Sequence, residues 1–186
     1  SGIFDFSAFD LIHYEKDFTF TIKLKSVILS DGSTTNITYF TAALTDIDLF
    51  AGANEGTDDE IGFRIDDLSF GAVLAISTAG DIYFTMQGET DYFGLVGVPV
   101  IELKADKIKV AINTADSKGR VIDYKAKNMV IPVGLDLSGA VTVGGGGEYI
   151  MDLDGKNGET IQLEITNALF ALDGFLYVGG NFAIKK

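Results

Sequence analysis

TIQLEITNALFALDGFLYVGGNFAIKK, residues 160–186, is the stretch whose reading decides the fold. Its first half alternates: Ile161, Leu163 and Ile165 fall on one side, Gln162, Glu164 and Thr166 on the other. That is the period of a strand with one wet face. After Asn167 the apolar positions Leu172, Phe175, Val178, Phe182 and Ile184 are set around Gly174, Gly179 and Gly180, which reads as a return strand or pair of strands broken by bends. The stretch is an antiparallel meander in miniature.

The same grammar runs upstream. Phe18, Phe20, Ile22 and Leu24 alternate with Thr19, Thr21, Lys23 and Lys25, and the turn residues Ser30 to Ser33 predict that Asn36 to Leu44 runs back as a hairpin partner. Thr45 to Ala53 fits a short strand or one helical turn capped by Thr45 or Asp46, and the acidic loop NEGTDDE (54–60) follows. Phe63 and Ile65 lead into Leu68, Phe70, Val73, Leu74 and Ile76, a run suited to a strand covered on both faces. Ala79 to Asp81 turns it into Ile82 to Gln87.

YFGLVGVPV (92–100) contains Gly94, Gly97 and Pro99, so a bend or bulge is expected there and not a central strand. Alternation over Ile101 to Ala105 resumes at Ile108 to Ile112 after a slip at Lys107, as a bulge would produce. Asp116 to Gly119 predicts a turn before a strand over Val121 to Ala126, Gly144 to Gly147 a flexible tip, and Tyr149 to Leu153 with Ile161 to Ile165 a closing hairpin. Leu135 to Val143 and Leu176 to Ile184 share one apolar frame around a glycine, partly echoed by Phe84 to Gly88. The frame fits either a chain of similar strand units or any amphipathic strand with a central glycine. The expectation is an all-β, mainly antiparallel fold over residues 1–186 as one domain, a sandwich or a rolled, elongated sheet of about ten or more strands.

Composition narrows the partners. With 14 Lys and Arg against 27 Asp and Glu, the net charge is −13, which repels nucleic acid and anionic membranes. No run of 18 apolar residues is present, so no helical membrane span is expected. Fourteen Phe, seven Tyr and 22 Gly suit pleated surfaces and tight bends, and the absence of Cys rules out disulfides and thiolate chemistry. Both ends read as strands, which suggests a module excised from a longer chain.

Two loops are candidates for calcium, which prefers several oxygen ligands converging from a tight loop. One holds Asp152, Asp154, Asn157 and Glu159; the other holds Asp58, Asp59 and Glu60 beside Asn54 and Glu55. Both also suit plain solvated turns. His13 has no Ser or Cys partner at a recognisable spacing, and no carboxylate pair stands out, so no enzyme is expected. Most Phe and Tyr should be core; Tyr92, Phe93 and Tyr177 would matter for binding only if clustered on one surface.

The order TAALTDIDLFAGANEG, IGFRIDDLSFGAVLAI, GLVGVPVIELKADKIKVAINT and LEITNALFALDGFLYVGGNFAIKK resembles a repeat module of very large secreted or surface-anchored bacterial proteins of the adhesin and RTX-like kind. The likeness runs from about Thr41 onward and includes the phrase Gly174-Phe175-Leu176 to Gly180-Asn181-Phe182. The glycine-rich nonapeptide array of the RTX calcium roll is absent. The resemblance implies an extracellular, non-enzymatic module, contacting neighbouring modules of the same chain in a calcium-containing medium. The alternative expectation is a β domain that binds a glycan or lipid through an aromatic groove; a surface protein is a further candidate partner.

Overall fold

The computed structural model describes residues 2–8, 12–18, 23–126, 132–133 and 149–186. Its strands are β1 (Gly2–Ala8), β2 (Ile12–Phe18), β3 (Lys23–Ile28), β4 (Thr34–Ala53), β5 (Ile61–Ser77), β6 (Ile82–Thr90), β7 (Tyr92–Val96), β8 (Ile101–Ala105), β9 (Lys107–Asn113), β10 (Pro132–Val133), β11 (Tyr149–Ile150), β12 (Thr160–Leu172) and β13 (Leu176–Lys185). The 3-10 turn Gly155–Asn157 is the one helical element among the described residues. The protein is all-β, and its strand pairings are antiparallel. β1 pairs with β2 and β10 with β11, while nine strands join one sheet.

The order β3-β4-β5-β6-β9-β12-β8-β7, with β13 on β12, looks like a set of crossovers. Register shows something simpler. Thr90 faces Ile108 and Phe93 faces Ala105, so the β6–β9 ladder passes into β7–β8 without gaining or losing a residue. β12 likewise faces β9 from Thr160 to Thr166 and β8 from Leu169 to Leu172 in one register. The sheet is a meander of long strands, with β6–β7 and β8–β9 each acting as one bent strand.

Several expectations change as a result. Tyr92–Val96 is a central strand between β5 and β8, because the turn that holds Gly97 and Pro99 lies beyond it, where a missing N–H costs no ladder bond. The slip at Lys107 is a bend at Asp106 without a register shift. Thr45 to Ala53 is strand, continuous with β4. β11 pairs with β10, and β12 takes β9, β8 and β13 as partners, so Tyr149 to Leu153 makes no hairpin with Ile161 to Ile165. The proposed strand unit at Leu135 to Val143, the tip at Gly144 to Gly147 and residues 19–22 lie outside the described residues.

The long strands are interrupted along one line across the sheet. The β4–β5 register shifts between Leu44 and Ile47 and shifts back between Ile47 and Leu49, so an extra residue on β4 is offset by one on β5. Asp46 and Asp67 take φ of 52° and 54°; the Asp46 amide donates to Ser69 Oγ and the Asp67 amide to Asp48 Oδ1, both at 3.0 Å. The line continues through bends at Asp91 and Asp106 to Asn167, φ 49°, at the bulge between β12 and β13. The Asn167 amide donates to Asn181 Oδ1 at 2.7 Å, and its side chain donates to Asp106 Oδ2 at 2.8 Å. Asp and Asn tolerate this backbone region, and their short acceptors satisfy the amides a bulge releases.

Between β9 and β12, residues 121–126 and 149–153 lie off this sheet and fold over one face at one end. Ile122, Tyr124 and Met151 from this excursion pack on Val27, Leu29, Ile37, Tyr39, Val73, Ala75 and Tyr83. Val121 to Ala126, expected as a strand, forms a single bridge from Ile122 to Leu29, because its other amides bond partners off the ladder, as Val121 N does to Ser30 Oγ and Tyr124 N to Leu153 O. Alternation along β5 sends Val73 and Ala75 into this core and leaves Leu74 and Ile76 exposed on the opposite face. β5 is therefore covered on one face where two were expected.

Candidate functional site

The two acidic loops lie at opposite ends of the sheet. Asp58, Asp59 and Glu60 are in the β4–β5 turn, whereas Asp152, Asp154, Asn157 and Glu159 lead into the start of β12 beside Asn113. Glu60 accepts from the Gly56 amide at 2.7 Å and pairs with Arg64 at 2.6 Å; those two contacts hold its carboxyl below the usual range. Asp58 and Asp59 are exposed, and the Asp59 carbonyl accepts from Asn54 Nδ2.

In the second loop Gln87 clasps Asp152 twice: its Nε2 donates to Oδ1 at 2.6 Å and its Oε1 accepts from the Asp152 amide at 3.2 Å. Asp154 caps the 3-10 turn by accepting from the Lys156 amide at 2.9 Å, and the Asn157 amide donates to the Asp154 carbonyl. Glu159 pairs with Lys186 at 2.7 Å, which lowers its pKa. Among the described residues no group of three or more His, Asp or Glu side chains is placed to hold a metal ion. Asp66 lies within β5 opposite Tyr92; burial raises its pKa, Arg64 opposes this, and Asp48, Asp67 and Glu60 add to the rise.

The densest polar chemistry is elsewhere, where the excursion meets the sheet. Asp116, whose side chain is wholly enclosed, accepts from Arg120 Nε at 2.9 Å and Nη2 at 2.7 Å, and from Tyr83 Oη at 3.0 Å. Its other oxygen accepts from the Lys118 and Arg120 amides, both at 2.9 Å. Burial alone would raise this carboxyl, but the donors outweigh it and bring the pKa down to about 2. Burial and then Asp116 push the Tyr83 phenol up to about 12. A second chain runs from Tyr124 Oη to Thr85 Oγ1, from Thr85 to Asn113 Oδ1, and from Asn113 Nδ2 to the Ile122 carbonyl. These bonds fasten the excursion to β6 and β9 and satisfy the buried groups. Strand periodicity could not find them, since it reports faces and not partners; the pairing of Asp116 with Arg120 across the expected turn was the visible clue.

Aromatic exposure is concentrated at the β12–β13 turn. Phe175 and Tyr177, 87% and 75% exposed, line an open hollow with Pro99, Val100, Glu102 and Leu172. Tyr92 and Phe93 are half-buried, and Phe93 stacks on Phe63 with centroids 6.2 Å apart. Tyr177 therefore stands apart from the other two aromatics expected to matter with it. His13 lies in β2.

No protein-family model, curated protein or solved structure matches this chain. No helix among the described residues is long and apolar enough to cross a membrane.

Proposed function

We propose that the chain is a structural module of a large bacterial surface protein, working outside the cell by spacing or presenting other domains and packing against neighbouring modules of its own kind. The observation that carries this reading is β13. It is exposed along its whole length and pairs with β12 on one edge, so it offers a ready ladder for a following segment. The acidic, cysteine-free composition and the resemblance to tandem modules support the same view. Calcium would act as a stabiliser at the loop of Asp152, Asp154, Asn157 and Glu159 or at that of Asp58, Asp59 and Glu60.

Two copies joined in series test it. Neighbour interfaces add to the intrinsic stability of each unit, so the pair should melt above the single copy, and added calcium should raise both. Identical melting of single and paired copies would end the proposal. A second reading, a glycan-binding domain, is favoured by the hollow at Phe175 and Tyr177, since exposed rings can stack on sugar faces. Saturable oligosaccharide binding lost on Tyr177→Ala would establish it in place of the first.

A further inference from the structure

The sheet face opposite the core is apolar from one edge to the other. One rung runs Leu24, Thr38, Ile76, Ile82 across β3 to β6, and the next runs Phe40, Leu74, Phe84. A third crosses Ala72, Met86, Ile112 and Ile161, and a fourth joins Val110, Leu163 and Ile184. Directly paired residues share a face, so these rungs form one surface. Leu24 is 78%, Ile82 60% and Ile76 49% exposed. None of the rung residues named is charged, although the chain carries a net charge of −13. The charges of β9 and β12, Lys107, Lys109 and Glu164, alternate with the apolar set and so point to the other side.

We infer that this face is where two copies of the chain pair, sheet on sheet, about a two-fold axis. The 14 residues of these rungs, each occupying about 4.8 Å by 6.8 Å of sheet, cover roughly 450 Å² on each copy. That matches the largest apolar patch of a typical monomer, about 300–600 Å² and often functional, and two such faces together bury about 900 Å², close to the roughly 1,000 Å² of a specific interface. A second copy suits the face because its sheet has the same twist. Equally twisted sheets stack about 10 Å apart at a small angle. The rung residues named are uncharged, and the charges bordering the third rung, Lys186 and Glu159, pair with each other at 2.7 Å, so two such faces meet without like charges opposed. The inference concerns free copies and stands apart from the tandem reading above.

Sedimentation equilibrium over a range of protein concentrations tests it. The wild type should approach twice the 19.9 kDa of one chain. Leu74→Glu and Thr38→Glu should each raise the dimer dissociation constant by about a hundredfold or more, since each buries an unpaired charge. Thr38 is already polar and exposed, so its variant decides the matter if Leu74→Glu fails to fold. A wild type that stays monomeric at its solubility limit overturns the inference. So does a dimer indifferent to Thr38→Glu, or a monomer that instead binds phosphatidylcholine vesicles.

Discussion

Asp116→Asn probes the contact that fastens the excursion to the sheet. The substitution keeps the shape, and Oδ1 can still accept from the amides of Lys118 and Arg120. The other position becomes an NH₂ facing Arg120 Nε and Nη2, which lie 2.9 and 2.7 Å from Oδ2 in the wild type. Two charge-assisted bonds of about 1.5 kcal/mol each turn into donor–donor contacts. The Arg120 side chain keeps 22% exposure, so water recovers part of its solvation, and the net loss at neutral pH should be about 2–3 kcal/mol. In a domain of this size that lowers Tm by about 5–10 °C.

The pH dependence makes the test specific. The pKa of Asp116 is about 2 in the fold against 3.8 for a free side chain. A lowered folded value means that the ionised group stabilises at pH above about 4, and that this contribution is lost as pH falls from about 4 to 2. Urea denaturation should therefore show the full difference between wild type and variant at pH 7 and a smaller one at pH 3. A difference below about 0.5 kcal/mol at pH 7, or one equally large at pH 3, would refute the assigned network.

Alkaline titration followed by tyrosinate absorbance should show Tyr83 ionising near 12; its folded value is raised, so its stabilising contribution holds below about pH 10 and fades as pH rises to about 12. Tyr83→Phe should abolish that alkaline loss, and a wild type and variant with the same alkaline profile would count against it. Gly155→Ala would place a methyl 2.5 Å from Asp123 Cβ and 2.8 Å from its Cα, and should cost about 1–3 kcal/mol by urea denaturation. No loss there would mean that the second loop is not seated on Asp123 as described. Asn167→Val should destabilise more than Asn167→Gly, by about 1–2 kcal/mol, because valine resists the φ of 49° that glycine accepts; equal melting temperatures would contradict the bulge geometry.

The class of fold was legible without coordinates. Alternation in LEIT and KIKVAIN, glycine at the turns and the absence of a 3.6-residue apolar stripe all report local backbone geometry, which neighbouring residues along the chain largely determine. Asp46, Asp67 and Asn167 interrupt apolar runs, and their chemistry explains why they take the left-handed backbone. What they align with was not visible, because the line of kinks exists only once distant strands are in register. Tertiary structure alone decided that Asp116 meets Tyr83 and that Gln87 takes Asp152. It also decided that the excursion covers Val73 and Ala75 while Leu74 and Ile76 remain bare. A side-chain period assigns each residue to a face; which of two apolar faces is buried depends on where a segment many residues away settles.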